Sequence, residues 1–139
     1  MGEKLIRVGT TYLPVQDVAL AADWYTTKLE AQLNYMDDEK AILAIADQAL
    51  FLVKAKQGET SNFIDSNGSE RFSLTFEVDG EEKLVELQKD LQAKDVEVGP
   101  IEDRGHPGRN FVFRDPDGNK FDVWSQLSPK FKERLKVEQ

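Results

Sequence analysis

The sequence predicts an α+β fold: two βαβββ repeats whose mixed sheets curl around a shared cleft, with helices on the outer faces. Three observations predict it. The order β-α-β-β-β is legible twice along the 139 residues. Each repeat holds one helix, enough to cover one face of its sheet, so the other face must meet the second repeat, a partner chain or a ligand. A polar, turn-rich connector, "KQGETSNFIDSNGSE", separates the two. A single domain over residues 1–139 follows, with repeat one at about 5–55, the linker at about 56–70, repeat two at about 71–126 and a C-terminal helix at about 128–137.

Residues 5–15, "LIRVGTTYLPV", are rich in β-formers and read as the first strand. Asp17 stands where it can cap the helix "VALAADWYTTKLE", in which Val18, Ala21, Ala22, Tyr25 and Leu29 make one apolar face. Strands are predicted at 32–36, 41–45 and 49–55, with Asp47-Gln48 as the turn between the last two. In the second repeat "RFSLTFEV" is a strand, and "DGEEKLVELQKDLQAK" is a helix with Leu84, Leu87 and Leu91 on one side. Strands at 96–101, 110–114 and 119–125 complete it.

Composition is globular: 40% apolar and 32% charged. No apolar run approaches the roughly 20 residues of a membrane span, and "MGEKLIRVGT" lacks a signal peptide's apolar core. A cytoplasmic protein without membrane association is the expectation. The absence of cysteine excludes disulfides, thiolate metal sites and a cysteine nucleophile. Residues 1–126 hold 14 basic and 24 acidic side chains within an overall charge of −8. Such a body repels nucleic acid, and none is expected as a partner.

Local chemistry accounts for "DPDGN" at 115–119. Pro116 fixes φ, Asp115 and Asp117 accept backbone N–H bonds, and Gly118 takes positive φ. A calcium loop would need further spaced oxygen ligands ending in glutamate, whereas "DPDGNKFDVWSQ" ends in glutamine. The repeated plan, "LPVQDVALAADWYTTKLEAQL" and "FVFRDPDGNKFDVWS" together resemble the vicinal oxygen chelate superfamily over roughly residues 5–125. That group takes in glyoxalases, bleomycin-resistance proteins and extradiol dioxygenases.

The resemblance implies what a metal-dependent member would need: four ligands on the concave face, one from the first and one from the last strand of each repeat. Counting five residues before Val15 and Val78 gives Thr10 and Ser73. Counting five after Asp47 and Asp117 gives Leu52 and Asp122. Leucine coordinates nothing, and neutral hydroxyls are poor transition-metal ligands, so only Asp122 is competent. A one-residue slip would turn every side chain over, yet the neighbours Gly9, Thr11, Phe51, Val53, Phe72, Leu74, Phe121 and Val123 include no ligand either. Metal is therefore expected to be absent, with a divalent metal as the alternative.

Period-two alternation assigns the concave face. It takes Val8, Thr10 and Tyr12, then Leu50, Leu52 and Lys54, from the first repeat. Ser73, Thr75, Glu77, Lys120, Asp122 and Trp124 come from the second. Tyr12 and Trp124 are aromatic walls; Asp122 and Glu77 are the candidate acid–base groups. His106, the one histidine, falls in the loop "EDRGHPGRN" and is expected to be exposed, with Arg104 and Arg109 beside it. Two readings follow. One is a metal-independent protein that binds or sequesters an aromatic or cationic small organic molecule, paired as a homodimer as the bleomycin-resistance branch is. The other is a glyoxalase-like lyase or isomerase, or a dioxygenase, using a divalent metal or Asp122 as a base.

Overall fold

The computed structural model describes residues 3–138. Met1, Gly2 and Gln139, which the predicted domain includes, lie outside them. The elements in order are β1 (Thr10–Val15), α1 (Val18–Lys28), β2 (Gln32–Met36), β3 (Lys40–Ile45), β4 (Gln48–Lys54), β5 (Phe63–Ile64), β6 (Glu70–Arg71), β7 (Thr75–Glu77), α2 (Glu81–Ala93), β8 (Glu97–Val98), β9 (Asn110–Arg114), β10 (Lys120–Trp124) and α3 (Pro129–Glu138). The chain divides into two units at Ser61/Asn62.

In the first unit the sheet order is β1-β4-β3-β2, with β1 parallel to β4 and the other neighbours antiparallel. The second unit repeats this as β7-β10-β9-β8, with β7 parallel to β10. The duplicated plan and the mixed α+β class read from the sequence are therefore present. Among the described residues no helix is long and apolar enough to cross a membrane.

Alternation builds the first core. Leu13 and Val15 of β1, Ala41 and Leu43 of β3, and Leu50 and Leu52 of β4 are buried with Val18, Ala21, Ala22 and Tyr25 of α1. The Asp17 carboxylate accepts from the Leu20 N–H at 3.1 Å and so starts α1 where a cap was expected. Glu30, at φ 60°, takes the chain out of it. The second core is aromatic: Phe111, Phe113 and Phe121 are buried with Leu84, Leu91 and Val123. Phe113 and Phe121 have ring centroids 5.2 Å apart.

Five features differ from expectation, the first being that the strand expected at 96–101 is limited to Glu97–Val98. Residues 5–9 lie outside β1, with only the Gly9 carbonyl accepting from the Ala49 N–H of β4 at 2.9 Å, and Leu5, Ile6 and Val8 are exposed. Val8 therefore belongs to no sheet face. "RFSLTFEV" breaks into β6 and β7, leaving Ser73 exposed between them. The connector is not featureless, because β5 and β6 pair within it as a short antiparallel ribbon. The β3–β4 turn is Ala46-Asp47, one residue earlier than predicted. Both residues have positive φ, 51° and 63°, as the two-residue turns that match strand twist require.

Candidate functional site

The turn shift decides which face of β4 points where. Tyr12 pairs in register with Phe51, and Leu13 with Leu52. Directly paired residues share a face, so Phe51 stands beside Tyr12 while Leu52, 0% exposed, faces the helix-covered core. The expectation that Leu50 and Leu52 line the concave face is thus corrected, and Lys54 moves with them. The cause is turn length. Only two residues separate Ile45 from Gln48, whereas five separate Arg114 from Lys120. Counting five positions from Asp47 and from Asp117 therefore lands on opposite faces. Tyr12 and Phe51 stack at 4.8 Å, with Tyr12 63% exposed and Thr10 exposed on the same face.

In the second unit the alternation holds. Thr75 of β7 pairs with Asp122 of β10, and Glu77 with Trp124. Asp122 is 3% exposed. Its Oδ2 accepts from the Thr75 hydroxyl at 3.0 Å and from the Asn110 side-chain amide at 3.0 Å. Arg104, in the loop between β8 and β9, places Nη1 3.1 Å from Oδ1. That approach lacks hydrogen-bond direction: Oδ1 of Asp122 and Oδ1 of Asn110 are both buried and accept no hydrogen bond. An unmatched buried acceptor such as Asn110 Oδ1 costs about 1–3 kcal/mol of desolvation, whereas Oδ1 of Asp122 keeps its ion pair with Arg104. The Arg104 guanidinium also bonds Glu102 at 3.3 Å and lies 5.7 Å from the Phe72 ring centroid.

The remaining predicted residues have their own partners. Glu77 Oε1 accepts from the Ser128 N–H at 2.9 Å and its Oε2 from the Ser128 hydroxyl, which fixes the start of α3. Trp124 donates its indole N–H to the Pro107 carbonyl at 2.9 Å, so its polar edge holds the loop. His106 is exposed, as expected, and meets the Trp124 ring edge-on at 6.0 Å. Arg109 pairs with Asp103 at 3.5 Å. In "DPDGN", Asp115 accepts from the N–H groups of Asp117 and Asn119 at 3.0 and 2.8 Å, a structural role. Beside the turn, the Arg114 guanidinium and the Asn62 amide hold the Glu70 carboxyl below its ordinary range, against a smaller effect of burial.

Asn110 and Phe72 were not singled out in the sequence for this site. A polar residue opening the otherwise apolar run "NFVF" was the available signal for Asn110; nothing pointed to Phe72. Arg104, read in the sequence only as a loop neighbour of His106, meets Asp122.

A family model described as the Glyoxalase/Bleomycin resistance protein/Dioxygenase superfamily matches residues 7–123. The chain belongs to that superfamily. Solved structures similar to this superfamily member include a lactoylglutathione lyase from Agrobacterium tumefaciens, with 18% identity, TM-score 0.69, and coverage of 88% of this chain and 95% of that one. FosX, a fosfomycin resistance protein from Listeria monocytogenes complexed with Mn(II) and sulfate, has 18% identity, TM-score 0.68, and coverage of 99% and 100%. A glyoxalase/bleomycin resistance protein/dioxygenase from Alicyclobacillus acidocaldarius has 16% identity, TM-score 0.67, and coverage of 89% and 94%. At these identities the likeness is one of fold. No curated protein sequence matches.

Metal-dependent relatives make a metal the natural comparison for Asp122. In the second unit Asp122 is the competent candidate, and its in-register partner is Thr75 rather than Ser73. Among the described residues no group of three or more His, Cys, Asp or Glu is placed to hold an ion. Catalytic centres use about three protein ligands, so the donor set present does not fit one.

Proposed function

We propose that this superfamily member is a metal-independent binding protein that sequesters a small organic molecule with cationic or aromatic character. The observation that carries the reading is Asp122: a carboxylate buried on a sheet face, with an arginine as its charge partner and acceptor positions still unmet. A buried carboxylate of this kind recognises a cation or a strong donor. Its carboxylate is already engaged by Arg104, Thr75 and Asn110, which argues against use as a general base. The stacked Tyr12–Phe51 pair offers a second, aromatic surface on the first unit. A cytoplasmic homodimer is part of the proposal, supported by the resemblance to the bleomycin-resistance branch. Superfamily membership keeps the lyase, isomerase or dioxygenase reading as its rival.

Thermal unfolding separates the two, since any ligand that binds the native state raises Tm. Aromatic amines and cationic glycopeptides are expected to raise Tm, with the shift lost in Asp122→Asn, while Zn²⁺, Ni²⁺, Mn²⁺ and Fe²⁺ leave it unchanged. A metal-induced rise abolished in Asp122→Ala would sink the proposal.

A further inference from the structure

Resting on that reading, we infer that Arg104 is a built-in occupant of the Asp122 site and that the ligand recognised there carries a planar amidinium or guanidinium group, which binds by displacing it. Four features of the site lead there. Its two unmatched groups, Oδ1 of Asp122 and Oδ1 of Asn110, are both buried acceptors, so whatever completes the site donates hydrogen bonds. One belongs to a carboxylate nine-tenths buried, so the donor carries positive charge. The cation now present is a guanidinium 5.7 Å from the Phe72 ring, which Arg71 and Lys120 also approach at 5.5 and 6.0 Å, and a planar fork of donors suits two open acceptors better than a compact ammonium. Finally, Arg104 reaches Oδ1 at 3.1 Å yet makes no directed hydrogen bond to it, because its Nε and Nη2 are turned towards Glu102.

The tether explains that imperfect fit. Arg104 sits in a loop fixed further along by Trp124 on Pro107 and by the Ser125 hydroxyl on the Arg109 N–H. Its side chain must therefore divide its donors between Glu102 and Asp122. An untethered amidinium has no such constraint and can present two parallel N–H groups to the open acceptors. Displaced, Arg104 keeps Glu102 as its partner, so no cation is stranded by the exchange. Such internal competition lowers the apparent affinity of the intact protein by the fraction of time that the site is free.

The test uses benzamidine and phenylguanidine as probes, phenylurea as the uncharged isostere and benzylamine as the compact cation. Each is titrated against the full-length chain, Arg104→Ala, Arg104→Gln and Arg104→Gln/Asp122→Asn, by calorimetry and by Tm. Benzamidine and phenylguanidine are expected to bind the Arg104 variants at least tenfold more tightly than the unmodified protein. They should also recover most of the Tm lost through the substitution, while benzylamine binds at least tenfold more weakly than benzamidine, phenylurea does neither and the double variant binds nothing. Arg104→Gln guards against a failure of the alanine variant to fold. If the unmodified protein binds either probe as tightly as the Arg104 variants do, the built-in occupant is wrong while the binding function stands. Benzylamine binding as well as benzamidine overturns the planar-cation preference. If no probe binds any form, the inference falls; the broader function falls with it only if aromatic amines and glycopeptides also leave Tm unmoved.

Discussion

Asp122 and Arg104 are coupled strongly enough for single substitutions to separate their roles. A carboxylate left buried without its cation is expected to cost about 3 kcal/mol. Arg104→Ala should therefore lower stability by roughly that amount in urea unfolding, whereas Arg104→Ala/Asp122→Asn should recover a large part of it because the stranded charge is gone. Equal losses in the single and double variants would mean that the two side chains do not interact. Glu70 gives a second residue-level prediction. Arg114 and Asn62 depress its carboxyl, with Lys120 nearby as the other cation and Asp65 and Glu97 as the neighbouring acids. A depressed carboxylate stabilises the fold above its unfolded value, about 4.3, and loses that contribution as pH falls towards its lower folded value. Glu70→Gln should therefore flatten the decline of Tm below about pH 4.3 while costing some stability at pH 7. An unchanged acid limb would remove Glu70 from the account.

At the scale of elements, two positions hold the architecture locally. Asp17→Ala removes the α1 cap and should cost about 1 kcal/mol, read as a shift in the urea midpoint at constant slope. At Gly108, φ is 80° and an added Cβ would lie 2.7 Å from both the Trp124 indole nitrogen and the Ser125 hydroxyl. Gly108→Ala should thus displace the β8–β9 loop, alter Trp124 fluorescence and loosen Arg104 from Asp122; an unchanged emission spectrum would count against that coupling. The elements also show what the sequence could reveal. The second unit's register was legible because Phe121 and Val123 alternate with Lys120, Asp122 and Trp124, so only one face can be the core. The register of β4 was not. "ALFLVK" is apolar on both sides, so alternation cannot choose between Phe51 and Leu52, and the choice rested on a turn whose length differs between the repeats. Arg104 escaped as a partner of Asp122 for another reason: loop conformation, not periodicity, brings residue 104 to residue 122.

At the scale of the whole molecule, the duplicated sheet order was readable because hydrophobic periodicity and turn chemistry survive where sequence identity between the repeats does not. The split of the second repeat's first strand at Phe72, Ser73 and Leu74 was not, since "RFSLTFEV" alternates without interruption. The proposed homodimer predicts a sedimentation-equilibrium mass twice that of the chain at micromolar concentration; a monomer mass there would remove the partner chain from the account. The central claim is that Asp122 is held by an arginine in a site whose donor set does not suit a metal. Its most direct test is a crystal structure grown with Mn²⁺ and Zn²⁺ present and phased for anomalous scattering. The account predicts the Arg104 guanidinium against Asp122 and no anomalous peak beside that carboxylate. A peak within coordination distance of Asp122, with Arg104 swung away and further side chains of this chain as ligands, would contradict it.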